Sequence, residues 1–160
     1  MMKRTLVWFA VLFLALVAHG AAAQAQAVSK DGFEHLSAAA LKGFVDELAA
    51  AKKTSRPLSD RGNLTYAASR RDATGSAEVH EAWTDVIVVL SGKGTFIVGG
   101  TVTEGKPTTS GEIRGSAIAG GTRNAVGPGD VIVIPAGTPH QLELAAGDAI
   151  AYFGAKVAKP

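Results

Sequence analysis

The chain has 160 residues, room for one domain and a leader but not for two full cores. Sixteen basic residues stand against fourteen acidic ones, and that balance gives no reason to expect a nucleic-acid partner. Cysteine is absent, which excludes disulfides and thiol nucleophiles together.

Met1–Gly20 has the pattern of a secretory signal: Lys3 and Arg4, then an apolar run from Leu6 to Ala18. The small residues of Ala21–Ala27 offer cleavage after Ala23, Ala25 or Ala27. The apolar run is shorter than the roughly 20 residues a spanning helix needs, so no stable membrane insertion is expected after cleavage. Removing the leader takes away Lys3 and Arg4 and leaves the mature chain near neutral. An exported, cysteine-free protein suits a periplasm or the cell exterior, where its core must hold without staples.

Ser29–Lys53 reads as one helix. Phe33, Leu36, Ala40, Leu41, Phe44, Val45 and Leu48 recur at three- and four-residue spacing, forming one apolar stripe. Ser29 or Asp31 is the expected cap, and Lys52 and Lys53 sit where the helix dipole favours cations. The stripe must cover either the rest of the domain or the same helix of a second subunit. His35 reads as an ordinary surface or boundary histidine on this helix. Thr54–Asn63 reads as a connector broken by Pro57 and Gly62.

From Leu64 onward the pattern is one of short strands punctuated by glycine. The predicted strands are Leu64–Ser69, Ala77–His80, Asp85–Leu90, Thr95–Val98, Ile113–Ile118, Asp130–Ile134, Gln141–Leu144 and Ala149–Phe153. Thr103–Gly111 reads as a polar hairpin tip or a mobile loop. Val86–Leu90 and Val131–Ile134 are apolar at every position, so both are expected to be covered on both faces. The helix or a second subunit would supply the outer cover. The expected organisation is a signal over 1–27, helix and connector over 28–63, and an all-β barrel over 64–155.

Two stretches carry chemistry. In the first, Glu78 and His80 stand two apart on a strand and therefore on one face. Asp85 follows the Glu81–Thr84 bend, and Gly92 closes the next strand. In the second, Gly129 opens a strand that leads through Pro135, Gly137 and Pro139 to His140, a rigid turn that fixes where the next strand begins.

This pair of stretches resembles the two motifs of the cupin superfamily, small exported single-domain cupins of the conserved-barrel type in particular. The second motif is matched without gaps by Gly129, Pro135, Gly137 and His140, with Leu144 where the family often has asparagine. The first keeps the family's spacing with different side chains. Glu78 stands at the first histidine, His80 at the second, Asp85 at the glutamate, Gly92 at the closing glycine and Asp72 at the opening one. The resemblance covers roughly Leu64 to Phe153. It implies a double-stranded β-helix, or jelly-roll barrel, with a divalent metal held by Glu78, His80, Asp85 and His140, and a homodimer paired through outer strands. Two imidazoles and two carboxylates suit Mn, Fe or Zn.

Three functions are compatible with these residues. The first is a metal-dependent cupin enzyme acting on a small oxygen-rich molecule by dioxygenase- or isomerase-type chemistry. The second is a non-catalytic domain that binds a sugar or carboxylate. The third is a structural cupin with a degenerate metal site and a barrel filled by side chains. Tyr66, Phe96, Arg114, Arg123, Gln141 and Tyr152 are candidate pocket residues, with Arg123 able in principle to grip an anion. Glu81 is expected to point out of the barrel, and Trp83 to pack at its rim or outside.

Overall fold

The computed structural model describes residues 32–160. The signal and its cleavage sites, together with the caps expected at Ser29 and Asp31, lie outside the described residues. Among the described residues no helix is long and apolar enough to cross a membrane.

The helix is shorter than its stripe. Helix α1 spans Ala38–Ala50, capped by Ser37, whose hydroxyl accepts from the Ala40 N–H at 3.1 Å. Phe33 and Leu36 fit the helical period but lie in the irregular segment that precedes the helix. Arg61 holds that segment by donating to the Gly32 carbonyl at 2.7 Å and the Glu34 carboxylate at 2.6 Å. His35 is exposed as expected, though it precedes the helix. At the far end Lys52 turns left-handed (φ 51°), and the Lys53 N–H returns to the Leu48 carbonyl.

The expected connector contains a strand. β1 (Ser55–Asp60) pairs antiparallel with β2 (Leu64–Arg71), and the register shifts between Pro57 and Ser59. Proline is tolerated there because β1 is an edge strand, where a missing N–H breaks no ladder. The chain continues through β3 (Ala77–His80), β4 (Trp83–Gly92), β5 (Gly94–Val98), β6 (Thr101–Thr103) and β7 (Lys106–Thr109). Next come β8 (Glu112–Gly115), β9 (Ala117–Ala119), β10 (Thr122–Val126), β11 (Val131–Ile134), β12 (His140–Glu143) and β13 (Ile150–Ala158).

Three differences from the sequence reading stand out. The polar stretch Thr103–Gly111 contains strand β7, and Ile113–Ile118 is two strands. β8 pairs with β3 while β9 turns away to pair with β6. β10, whose side chains are exposed except at Val126, shows no apolar alternation and is held by its ladder to β5.

The strands form two facing antiparallel sheets, β1-β2-β13-β4-β11 and β10-β5-β12-β3-β8-β7, with β6-β9 as a small annex. Ile87, Val89, Phe96, Val126, Ile134, Leu142 and Ile150 fill the interior between them. Helix α1 buries Phe44 and Leu48 against Ala68 on the outer face of β2, and Arg56 lies over the Phe44 ring at 4.1 Å. The helix thus covers the β1–β2 side of the sheet and not the doubly apolar strands. Val131 and Val133 on edge strand β11 remain 62% and 59% exposed, which corrects the expectation of cover on both faces.

Candidate metal centre

Strand register assembles the site. On one sheet β3 lies between β8 and β12, so Glu78 is opposite both Arg114 and His140, and His80 is opposite Glu112. On the facing sheet Asp85 of β4 lies beside Lys156 of β13. The side chains at Glu78, His80, Asp85 and His140 converge. The His80 Nε2 lies 3.3 Å from a Glu78 oxygen and 3.4 Å from the Asp85 Oδ2, and the His140 Nε2 lies 3.3 Å from that same Asp85 oxygen. The two rings stand 5.1 Å apart, and His80, Asp85 and His140 are buried.

Two motif turns hold this geometry. Gly137 (φ 78°) adopts the left-handed conformation, and its N–H donates to the His80 backbone carbonyl at 2.8 Å, joining the second motif to the main chain of the first. Gly92 (φ 78°) also sits so close to the neighbouring strand that a Cβ there would lie 1.9 Å from the Ala149 carbonyl oxygen.

The outer nitrogens fix both imidazoles. The Nδ1 of His140 lies 3.0 Å from the Thr138 carbonyl, and the Nδ1 of His80 lies 2.6 Å from the Glu112 carboxylate. A carbonyl and a carboxylate only accept, so each Nδ1 carries a proton and, in the neutral rings, each Nε2 turns a lone pair inward. The inward atoms are then all electron-pair donors with nothing between them to share. A proton or a cation must sit among them. Ligands about 2.0–2.2 Å from a common tetrahedral ion stand about 3.3–3.6 Å apart, and the observed spacings fall at the short end of that range.

Asp85 Oδ1, which faces Lys156 at 4.0 Å, is buried and has no hydrogen-bond partner among the described residues. The donor set therefore fits a divalent cation. Glu78, His80 and His140 form a cluster that could hold a metal ion, and Asp85 reaches both imidazoles despite being one methylene shorter than glutamate.

Electrostatics follow the same layout. Burial works against the Glu78 carboxylate, but the His80 hydrogen bond and the charges of Arg114 and the two histidines outweigh it and hold its pKa below the ordinary value. Burial likewise works against a charged His140. The Asp85 hydrogen bond, the Thr138 carbonyl and the charges of Asp85 and Glu78 reverse that and raise its pKa. Burial raises the pKa of Tyr152, which stays a phenol able to donate a hydrogen bond.

Outside the inward donors stands a ring of charges. Arg114 pairs with Glu78 and lies 3.7 Å from Glu112, while Lys156 lies 4.0 Å from Asp85 and 3.9 Å from Glu112. Beside the site opens a cavity of about 410 Å³, so the interior is not filled by side chains as a purely structural barrel would be. Tyr66, Phe96, Arg114, Gln141 and Tyr152 line it as the sequence suggested. Arg123 does not; it pairs with Glu143 at 2.6 Å on the exposed side of β10. Glu81 is exposed, and Trp83 is half-buried at the start of β4 away from the cavity lining.

Sequence reasoning missed Glu112, Lys156 and Arg71, the last also a cavity residue. Only Glu112 had a local signal. The alternation Glu112-Ile-Arg114 matches Glu78-Val-His80 in period, as two paired strands with complementary charges would.

No protein-family model matches the chain, and no curated protein resembles it in sequence. Among solved structures it is similar to BH2720 from Bacillus halodurans, with a TM-score of 0.53 and 16% identity over 72% of this chain and 77% of that one. It also resembles a cupin-2 domain protein, Rru_A2000, from Rhodospirillum rubrum (TM-score 0.47, 19% identity, 66% of this chain and 59% of that one). A cupin 2 conserved barrel domain protein from Rhodopseudomonas palustris aligns with a TM-score of 0.46 and 20% identity, over 66% of this chain and 60% of that one. The chain thus spans about three fifths of each cupin-2 protein. At these identities the likeness concerns the fold alone. The two facing antiparallel sheets make the fold an all-β jelly-roll barrel carrying an N-terminal helix.

Proposed function

We propose that this protein is an exported cupin whose barrel holds one divalent metal ion through Glu78, His80, Asp85 and His140 and presents it to a small oxygen-rich molecule. The observation that carries this reading is the convergence of two inward Nε2 lone pairs with Glu78 and Asp85 oxygens at 3.3–3.4 Å. Bound there, the ion would act as a Lewis acid on a ligand oxygen, the chemistry needed for dioxygenase- or isomerase-type turnover. The protein's own residues do the rest. Glu112 and the Thr138 carbonyl fix the imidazoles, Arg114 and Lys156 balance the carboxylates, and the cavity walls orient the ligand. Mn, Fe and Zn all suit this mixed N/O set.

The test is elemental analysis of natively purified protein beside the His80→Ala, His140→Ala double variant. About one equivalent of metal in the native protein and none in a folded variant is expected; a metal-free native protein that takes up none after dialysis against Mn, Fe or Zn refutes the reading. Water-proton relaxation on the Mn-loaded protein then separates catalysis from binding alone, since an exchangeable water on the ion marks an open position and its absence marks a closed, binding-only site. Export rests on the Lys3–Ala27 pattern. Sequencing the N-terminus of protein from the cell envelope should find a start at residue 24, 26 or 28, and an intact Met1 removes the proposal.

A further inference from the structure

The cavity changes character within a short distance of the metal cluster, and strand register shows where. Asp85 of β4 is opposite Lys156 of β13, and one step along the same face Ile87 is opposite Gly154. Residues two apart on a strand lie about 7 Å from each other, so the charged row and the apolar row are neighbours. All four residues line the cavity.

The charged row has room for one more negative charge. Glu78, Asp85 and Glu112 bring three, and Arg114 and Lys156, which stand against them, bring two positive ones. A divalent ion leaves this network with one positive charge in excess, in partly buried surroundings where an unbalanced charge is costly. The cavity's other two charged side chains, Asp60 and Arg71, offset each other. The excess falls at Lys156. Its Nζ stands 4.0 Å from Asp85 Oδ1 and 3.9 Å from Glu112 and, among the described residues, makes no hydrogen bond, whereas Arg114 is in direct contact with Glu78.

The neighbouring row is shaped for apolar bulk. Gly154 leaves a gap in the wall: beyond its chain neighbours, a Cβ there would meet only the Tyr152 ring, at 3.6 and 3.7 Å, with nothing else of the described residues within 4 Å. Ile87, Phe96 and Leu142 line the same cavity, and its volume of about 410 Å³ suits a ligand of single-ring size.

We propose that the site takes a 2-hydroxy or 2-oxo monocarboxylate with a compact apolar tail, its head chelating the metal ion beside Lys156 and its tail filling the gap over Gly154. This rests on the metal-site reading above and adds the substrate class. Lys156 supplies the cation for the one carboxylate, and Gly154 sets the size of the tail.

The test uses isothermal titration of the metal-loaded protein with glycolate, mandelate and mandelamide. The first two share a hydroxy-carboxylate head and differ by a phenyl tail; the third keeps the tail and loses the charge. Mandelate should bind about ten to a hundred times more tightly than glycolate, the worth of burying one ring. Gly154→Ala, whose added methyl makes only ordinary contacts with the protein, should cut mandelate affinity about tenfold and leave glycolate and metal content unchanged. Lys156→Gln should shrink the preference for mandelate over mandelamide about tenfold at unchanged metal content, and Lys156→Arg should recover part of it. If mandelate does not exceed glycolate, if Gly154→Ala weakens both equally, or if the acid preference survives in Lys156→Gln, the inference is overturned while the metal site stands. A native protein that takes up no metal overturns the metal reading and this one with it.

Discussion

Replacing Glu112 by alanine should weaken metal binding about ten- to a hundredfold although Glu112 is not among the four inward groups. Its carboxylate accepts from the His80 Nδ1 at 2.6 Å, a charge-assisted hydrogen bond that holds both the ring's orientation and its tautomer. Bonds of that kind are worth about 1.5–3 kcal/mol, which corresponds to roughly ten- to a hundredfold in a binding constant. The loss has a second part. Lys156 at 3.9 Å and Arg114 at 3.7 Å share Glu112 as a counter-charge, and removing it leaves more positive charge beside the ion. Glu112→Gln keeps an acceptor for Nδ1 but not the charge, so it should fall between alanine and the native residue. Competition titration against a chromogenic chelator measures all three, with circular dichroism to confirm the fold. If Glu112→Ala binds metal as tightly as the native protein, the imidazole is not being held from behind, and the argument built on its fixed Nε2 lone pair fails.

Three more expectations follow from particular contacts. In metal-free protein the raised pKa of His140 contributes stability that is complete below its unfolded value, about 6.5, and is lost as pH rises through the higher folded value; the lowered pKa of Glu78 contributes stability present above the ordinary carboxylate range and lost as pH falls through the depressed one. Thermal melts across pH should therefore show metal-free stability declining on the alkaline side, with the gain from added metal widening there as the ion replaces the proton; parallel profiles with and without metal refute this. Gly92→Ala should cost at least about 2 kcal/mol in urea denaturation, because its Cβ would meet the Ala149 carbonyl oxygen at 1.9 Å in a left-handed backbone, and a neutral result would mean that the β4–β5 turn relaxes freely. Exposed Val131 and Val133 on edge strand β11 are the surface on which the expected homodimer would pair, so sedimentation velocity should give a dimer that Val133→Lys dissociates; a native monomer rules the pairing out.

Much of the barrel could be read locally. Ala77–His80 is a strand at the expected residues, and the strands around Asp85, Thr95, Val131 and Gln141 lie within two residues of their predicted ends. Their signals are alternation and glycine punctuation, which act over a few residues. The failures have equally physical causes. Phe33 and Leu36 keep a helical period, but they lie before the Ser37 cap in a segment that Arg61 of another element holds through the Gly32 carbonyl and the Glu34 carboxylate. Pro57 looked like a breaker because a proline is ruled out of a central strand, and nothing local says that β1 lies at an edge.

For the site, the sequence by itself determined which side chains could share a face: Glu78 with His80 by strand parity, and His140 by the rigid turn that precedes it. Gly92 and Gly137 were also legible, since few residues but glycine accept their backbone. Only the tertiary structure decided the company those groups keep. Glu112 meets His80 through the β3–β8 register, Lys156 meets Asp85 through β13 and β4, and Arg71 enters the same cavity from β2. Register between strands distant in sequence is set by closing the two sheets around Ile87, Phe96 and Leu142, a packing condition on the whole barrel that no local pattern contains.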